Sequence, residues 1–171
     1  MPYATQTAAV RRATMSDFAG VVRLRDQLAR QSRARRPDIY RPMMLGQTEA
    51  LFNAQLGVPG ETIYVAEIAG AVIGYAWVAT GEGTGNDGMF PRRFAYVNQL
   101  IVDASTHNRG AGRALLASIE ADALADGVEV LQLNVDATNV DAKAFYDRVG
   151  WGSVSEMRQK LLRDVRRIEH D

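Results

Sequence analysis

The stretch Asn98–Glu120, NQLIVDASTHNRGAGRALLASIE, changes character twice. An apolar run ends at Asp103, a polar turn follows, and Gly110 and Gly112 lead into a segment with Leu115, Leu116 and Ile119 at helical spacing. The pattern predicts strand, loop and helix. Backbone N–H groups at a helix start lack partners in their own helix and, with the local dipole, favour an anion. The two glycines permit close approach, and either can take a left-handed turn. Arg109 adds a charge suited to phosphate. A simple turn is the competing reading. The nucleotide-binding loop ending in Gly-Lys-Ser/Thr does not fit. Neither does the dinucleotide fingerprint, because GAGRA has no third glycine in place and Asp126 falls near the helix end.

Upstream, Thr7–Arg12 reads as a weak first strand. Thr14 and Asp17 match a capping box for a helix reaching about Arg30, with Phe18, Val21, Leu24 and Leu28 at helical spacing. Pro42 can open a second helix whose apolar side is Met44, Leu51, Phe52 and Leu56. The run TIYVAEIAGAVIGYAWVAT predicts two antiparallel strands about Ala69–Gly70. GEGTGNDGMFPRR is a glycine-rich loop or flap before the strand FAYVNQLIVD. Downstream, VEVLQLNVD is a fifth strand, and Thr138 with Asp141 matches a second capping box before a helix through Tyr146. Gly150 and Gly152 bracket a turn into final strands that include SEMRQKLL. The chain of 171 residues is expected to be a single domain, residues 1–171, of α+β (mixed α/β) class.

Composition narrows the function. The chain is 47% hydrophobic and 23% charged, with 20 basic and 20 acidic residues, so it predicts a folded domain without a nucleic-acid signature. The arginines of RQSRARRPD and RDVRR read as solvated surface or anion contacts. Without cysteine there is no disulfide, thiolate metal site or cysteine nucleophile. Two histidines, His107 and His170, make no metal cluster, and no metal is expected. No segment approaches the roughly 18 apolar residues of a membrane span, and the N-terminal stretch is a poor signal peptide. A cytoplasmic protein is expected.

The segment LIVDASTHNRGAGRALL carries Arg109, Gly112 and Ala114 in R-x-x-G-x-A spacing. It resembles the acetyl-CoA pyrophosphate motif of the GCN5-related N-acetyltransferase (GNAT) family. LNVDATNVDAKAFYDRVGW resembles the family's later strand, asparagine-containing helix start and Phe-Tyr helix, and VRRATMSDFAGVVRL its first strand and helix. The resemblance implies a splayed, mostly antiparallel central sheet flanked by helices, with acetyl-CoA wedged between two central strands. It implies that Leu100, Ile101 and Val102 hold the pantetheine arm, that amides of Arg109, Gly110, Ala111, Gly112, Arg113 and Ala114 hold the pyrophosphate, and that Asn139 lies near the cofactor. Helix capping is the other reading of Asn139. It further implies Tyr146 as the acid protonating the departing thiolate, which suits a phenol of ordinary pKa about 10.

The implied reaction is direct acetyl transfer to a primary amine of a small molecule or short peptide. A protein N-terminal or lysine acetyltransferase and an inactive acetyl-CoA-binding regulatory module are the alternatives. The glutamate that some relatives carry before the phosphate loop is absent. Tyr96 and Asn98 stand there two residues apart, a spacing that places them on one strand face, where they orient water or substrate. Glu82 and Asp87 are loop carboxylates that read better as solvated, and no general base is assigned. The first two helices and the glycine-rich loop are expected to form the acceptor side, shaped by Tyr40, Tyr75 and Trp77. Many similar proteins form homodimers, so a second copy is a further expected partner.

Overall fold

The Thr14–Asp17 capping box forms. In a computed structural model, which describes residues 7–41, 48–106, 110–160 and 162, the Thr14 N–H donates to the Asp17 carboxylate at 2.8 Å. A 3-10 turn over Met15–Asp17 leads into α1, Phe18–Arg35. This helix passes the expected end at Arg30 because RQSRAR holds no breaker. It stops at Arg36, the residue that Pro37 biases away from helical geometry. The next helix, α2 (Glu49–Leu56), is capped by Thr48, whose hydroxyl accepts the Leu51 N–H at 3.2 Å. Pro42 and Met44 lie outside the described residues.

β1 (Ala9–Arg12), β2 (Glu61–Ile68), β3 (Ala71–Gly83), β4 (Arg92–Val102) and β5 (Val130–Leu133) form one sheet in sequence order. Every neighbouring pair is antiparallel except β4 and β5, which run parallel. The turn between β2 and β3 is Ala69–Gly70, with φ of 50° and 78°, the left-handed pair that suits the twist of a two-residue hairpin. α3 (Ala111–Ala125) crosses from β4 to β5, and α4 (Val140–Arg148) follows β5.

Each sheet face buries its own core. α1 and α2 cover Val65, Tyr75 and Ile101 with Val21, Leu24 and Phe52. α3 covers Tyr64, Ala76 and Val97 with Leu115, Leu116 and Ile119, and Phe145, Tyr146 and Trp151 pack at its margin. Burial on both faces makes the sheet the middle layer of the fold.

Two irregularities create that end. Trp77 faces Gln99 and Val78 faces Val97, so Asn98 is the extra residue of a β-bulge. Val97 therefore belongs to the α3-side core, whereas Gln99, two residues on, reaches Tyr75 on the α1 side. The second irregularity is a splay. β4 pairs with β5 only from Phe94–Val130 to Val97–Leu133, and Asn98–Val102 continue with no strand on that flank among the described residues.

Two sequence expectations fail here. The cap of α4 is Asn139 rather than Thr138, whose N–H and hydroxyl both bind the Asp136 carboxylate instead. No strand forms over the described part of SEMRQKLL. Residues 151–160 have no regular structure, and Val154 and Met157 are each 90% exposed, because this polar segment has no face to bury.

Candidate active site

Strand alternation determines which backbone groups of β4 are available. The Asp103 N–H donates to the Ile73 carbonyl at 2.7 Å, so in this antiparallel ladder Ile101 also bonds toward β3. Leu100 and Val102 then turn their N–H and C=O groups the other way, into the splay. The Val102 carbonyl accepts the Gln27 side-chain amide at 3.0 Å. Leu100 and the Val102 N–H thus offer a short ladder to an extended ligand, while the Ile101 side chain packs in the α1-side core.

The opening of α3 adjoins this edge. Gly110 is its N-cap, with φ of 74°, a left-handed geometry that a side chain strains. The Ala114 N–H closes the first turn onto the Gly110 carbonyl at 2.9 Å. The preceding N–H groups of Ala111, Gly112 and Arg113 have no carbonyl of their own helix to bond. A Cβ on Gly112 would stand 3.2 Å from the Phe145 ring and 3.6 Å from Val102. The missing side chain therefore lets α3, α4 and β4 converge. Arg109 lies outside the described residues.

α4 carries the remaining cofactor-side candidates. Asn139 caps it, its side-chain oxygen accepting the Ala142 N–H at 3.3 Å. Tyr146 is half-buried between Phe145 and Trp151, with ring centroids 5.2 and 5.8 Å away. Burial pushes its phenol up to about 12, and its hydroxyl has no hydrogen-bond partner among the described residues.

On the α1-side face, the bulge replaces simple alternation, so Tyr96 lies on the face of Gln99 and Trp77 while Asn98 is exposed at the kink. Tyr75 is 0% exposed and donates its hydroxyl to the Gln99 side-chain oxygen, making it a floor beneath this face rather than a wall. Its phenol is pushed up to about 12 by burial. Trp77 donates its indole N–H to Glu61 at 2.8 Å. Arg25, buried within α1, stands 5.5 Å from the Tyr75 ring centroid and 5.9 Å from that of Phe52, and binds Gln55 at 2.7 Å. Tyr40 is exposed beyond α1, Glu82 near the end of β3 and Asp87 in the connection from β3 to β4.

The sequence profile of the acetyltransferase (GNAT) family matches residues 22–151, which takes in most of α1, the splay, the α3 start and α4. The chain belongs to the GNAT family. Its fold is shared with solved structures. A mutant BH1408 protein from Bacillus halodurans is 25% identical with a TM-score of 0.85, covering 90% of this chain and 99% of its own. A putative acetyltransferase from Agrobacterium tumefaciens has 20% identity, a TM-score of 0.70 and the same coverage. An aminoglycoside N-acetyltransferase in complex with CoA has 15% identity and a TM-score of 0.67, covering 91% and 100%. No curated protein sequence matches the chain.

Within this GNAT fold, three polar groups escaped the sequence reading: Gln27, which holds the end of β4; Glu61, which holds Trp77; and Arg25, buried beneath Tyr75. A lone arginine or glutamine in an amphipathic helix reads as solvent-facing, and only the folded chain reveals its partner: the end of β4 for Gln27 and Gln55 of α2 for Arg25. Among the described residues no group of three or more histidine, aspartate or glutamate side chains is arranged to hold a metal, and no helix is long and apolar enough to cross a membrane.

Proposed function

We propose that this GNAT protein transfers an acetyl group from acetyl-CoA directly to a primary amine of a small molecule or short peptide. The observation that carries the reading is the convergence of Val102, Gly112 and Phe145 where β4 has parted from β5. An unpaired strand edge, a helix start and the Phe-Tyr helix meet there. The residues fit the donor: the edge suits the amide-bearing pantetheine arm, and the helix start suits the pyrophosphate.

Bound there, acetyl-CoA supplies an activated thioester. The backbone groups of Leu100 and the Val102 N–H align the arm, and the N–H groups of Ala111, Gly112 and Arg113 hold the diphosphate, with Arg109 as a charged partner. Asn139 keeps the start of α4 in register beside it. With the amine nitrogen bonded to the acetyl carbon and its extra proton passed to water, Tyr146 would give its hydroxyl proton to the sulfur as the carbon–sulfur bond breaks. Positioning supplies much of the rate, and a chain without cysteine forms no cysteinyl acyl-enzyme.

The acceptor approaches from the face of Trp77, Tyr96 and Gln99, with Asn98 at the kink beside it and Tyr40 at its margin. Neither Asn98 nor Gln99 accepts a proton at neutral pH. The attacking amine therefore sheds its proton before attack or through water. Acetyl-CoA turnover measured over a panel of small and peptide amines tests the proposal. Saturable transfer to at least one amine supports it. Tight acetyl-CoA binding with no transfer to any amine would replace it with a cofactor-binding module.

A further inference from the structure

α1 touches both arms of the splay. Near its middle, Gln27 binds the Val102 carbonyl at 3.0 Å and receives the Ala104 N–H at 3.4 Å, while Arg23 pairs with Asp103. All three contacts fix the end of β4. The C-cap of the same helix, Arg36, reaches the other arm: its Nη1 binds the Asp136 carboxylate at 3.3 Å, just beyond the end of β5. Asp38 grips the rest of the guanidinium in a fork, Nε at 2.8 Å and Nη2 at 2.7 Å, which aims Nη1 at Asp136. The step from Gln27 to Arg36 is about 13 Å along a helix axis, enough to reach across a gap well beyond the roughly 4.8 Å between paired strands.

Asp136 also organises the turn that opens α4. Its other carboxylate oxygen accepts the Thr138 N–H at 2.8 Å and the Thr138 hydroxyl at 2.6 Å, and its carbonyl accepts the Asn139 N–H at 2.9 Å. Asn139 then caps the helix that bears Tyr146. A continuous set of bonds thus runs from α1 through Asp136 to α4.

We propose that Arg36 is a positioning residue. Through Asp136 it braces the β5–α4 turn against α1, sets the spacing of the two arms, and keeps Tyr146 aligned with a thioester lying along β4. The proposal rests on the acetyl-transfer reading above. It assigns Arg36 no contact with donor or acceptor, so its effect belongs to turnover and not to donor affinity.

The experiment compares wild type with Arg36→Gln, Arg36→Lys, Asp136→Asn and the Arg36→Gln/Asp136→Asn double variant. Arg30→Gln is the control, because Arg30 pairs with Asp26 on the same helix and reaches neither arm. Two quantities are read: kcat at saturating acetyl-CoA and amine, and backbone amide exchange over residues 134–142. The brace predicts that Arg36→Gln and Asp136→Asn each lower kcat about tenfold, with acetyl-CoA Kd within about twofold of wild type. The double variant should lose no more than either single one. Arg36→Lys, which keeps charge but not the fork, should recover part of the loss. Exchange over 134–142 should accelerate in the Arg36→Gln protein and not in the Arg30→Gln protein.

Unchanged exchange in folded Arg36→Gln overturns the brace. Faster exchange with unchanged kcat, or losses that add in the double variant, overturns the positioning role. A wild type that acetylates no amine removes the reaction itself, and the exchange comparison still decides separately whether the brace exists.

Discussion

At Tyr146, burial keeps the phenol in the protonated form that the assigned chemistry requires, and also makes that proton harder to give. A phenol pushed up to about 12 holds its proton throughout the neutral and mildly alkaline range, and that proton is lost only as pH rises through the shifted value. The acceptor behaves oppositely, since an alkylamine near 10.4 becomes a nucleophile as pH rises. The kcat/KM profile should therefore climb with pH toward the amine value, with no falling limb from Tyr146 below about pH 11. A fall with an apparent pKa near 9 in an amine series would contradict that assignment. Replacing Tyr146 with Phe keeps the ring between Phe145 and Trp151 and removes only the donor. Turnover should drop about a hundredfold, while acetyl-CoA Kd, followed by calorimetry, shifts less than about threefold. Equal turnover under chemistry-limited conditions would remove Tyr146 from the mechanism.

The glycines of the α3 start separate backbone strain from packing. Gly110 is left-handed with open space where a Cβ would go, so Gly110→Ala should cost about 1 kcal/mol in urea denaturation through strain alone. Gly112→Ala meets the Phe145 ring at 3.2 Å, so it should displace α4 and lower kcat as well as stability. The start of α1 offers a second test. Asp17 is held below the usual carboxylate range, first by the Arg11 guanidinium, which it meets at 2.7 and 2.9 Å, and also by Thr14. Its folded value is depressed, so its stabilisation is full above the unfolded value near 4 and disappears as pH falls through the folded one. Asp17→Asn should cost about 1–3 kcal/mol at pH 7, and the difference from wild type should shrink on acidification below about pH 4.

What the chain reveals before folding is local. The Thr14–Asp17 box, the Ala69–Gly70 turn and the glycine-led start of α3 each depend on neighbours a few residues away, and their side chains announce them. Asn98 and Gln99 show the limit. Their types are visible, but the bulge that swaps their faces exists only because Trp77 and Val78 pair across it. Strict alternation consequently misassigns the face on which Tyr96 and Gln99 meet. Gln27 and Arg36 were illegible for the same reason, since their partners are 75 and 100 residues away.

At the scale of the whole molecule, the sheet is closed where β4 and β5 pair and open where they part. α1 is bound to both sides of that opening. The two-sided cores around Leu24 and Leu115 make the frame stiff, so the gap is a property of the fold and not of a loop. The proposed donor occupies this gap. Amide hydrogen exchange with and without saturating coenzyme A reads that directly. Protection at residues 98–102 and 110–113, with β1 and β2 unchanged, is the predicted result; saturable binding that leaves both segments unprotected would contradict the account.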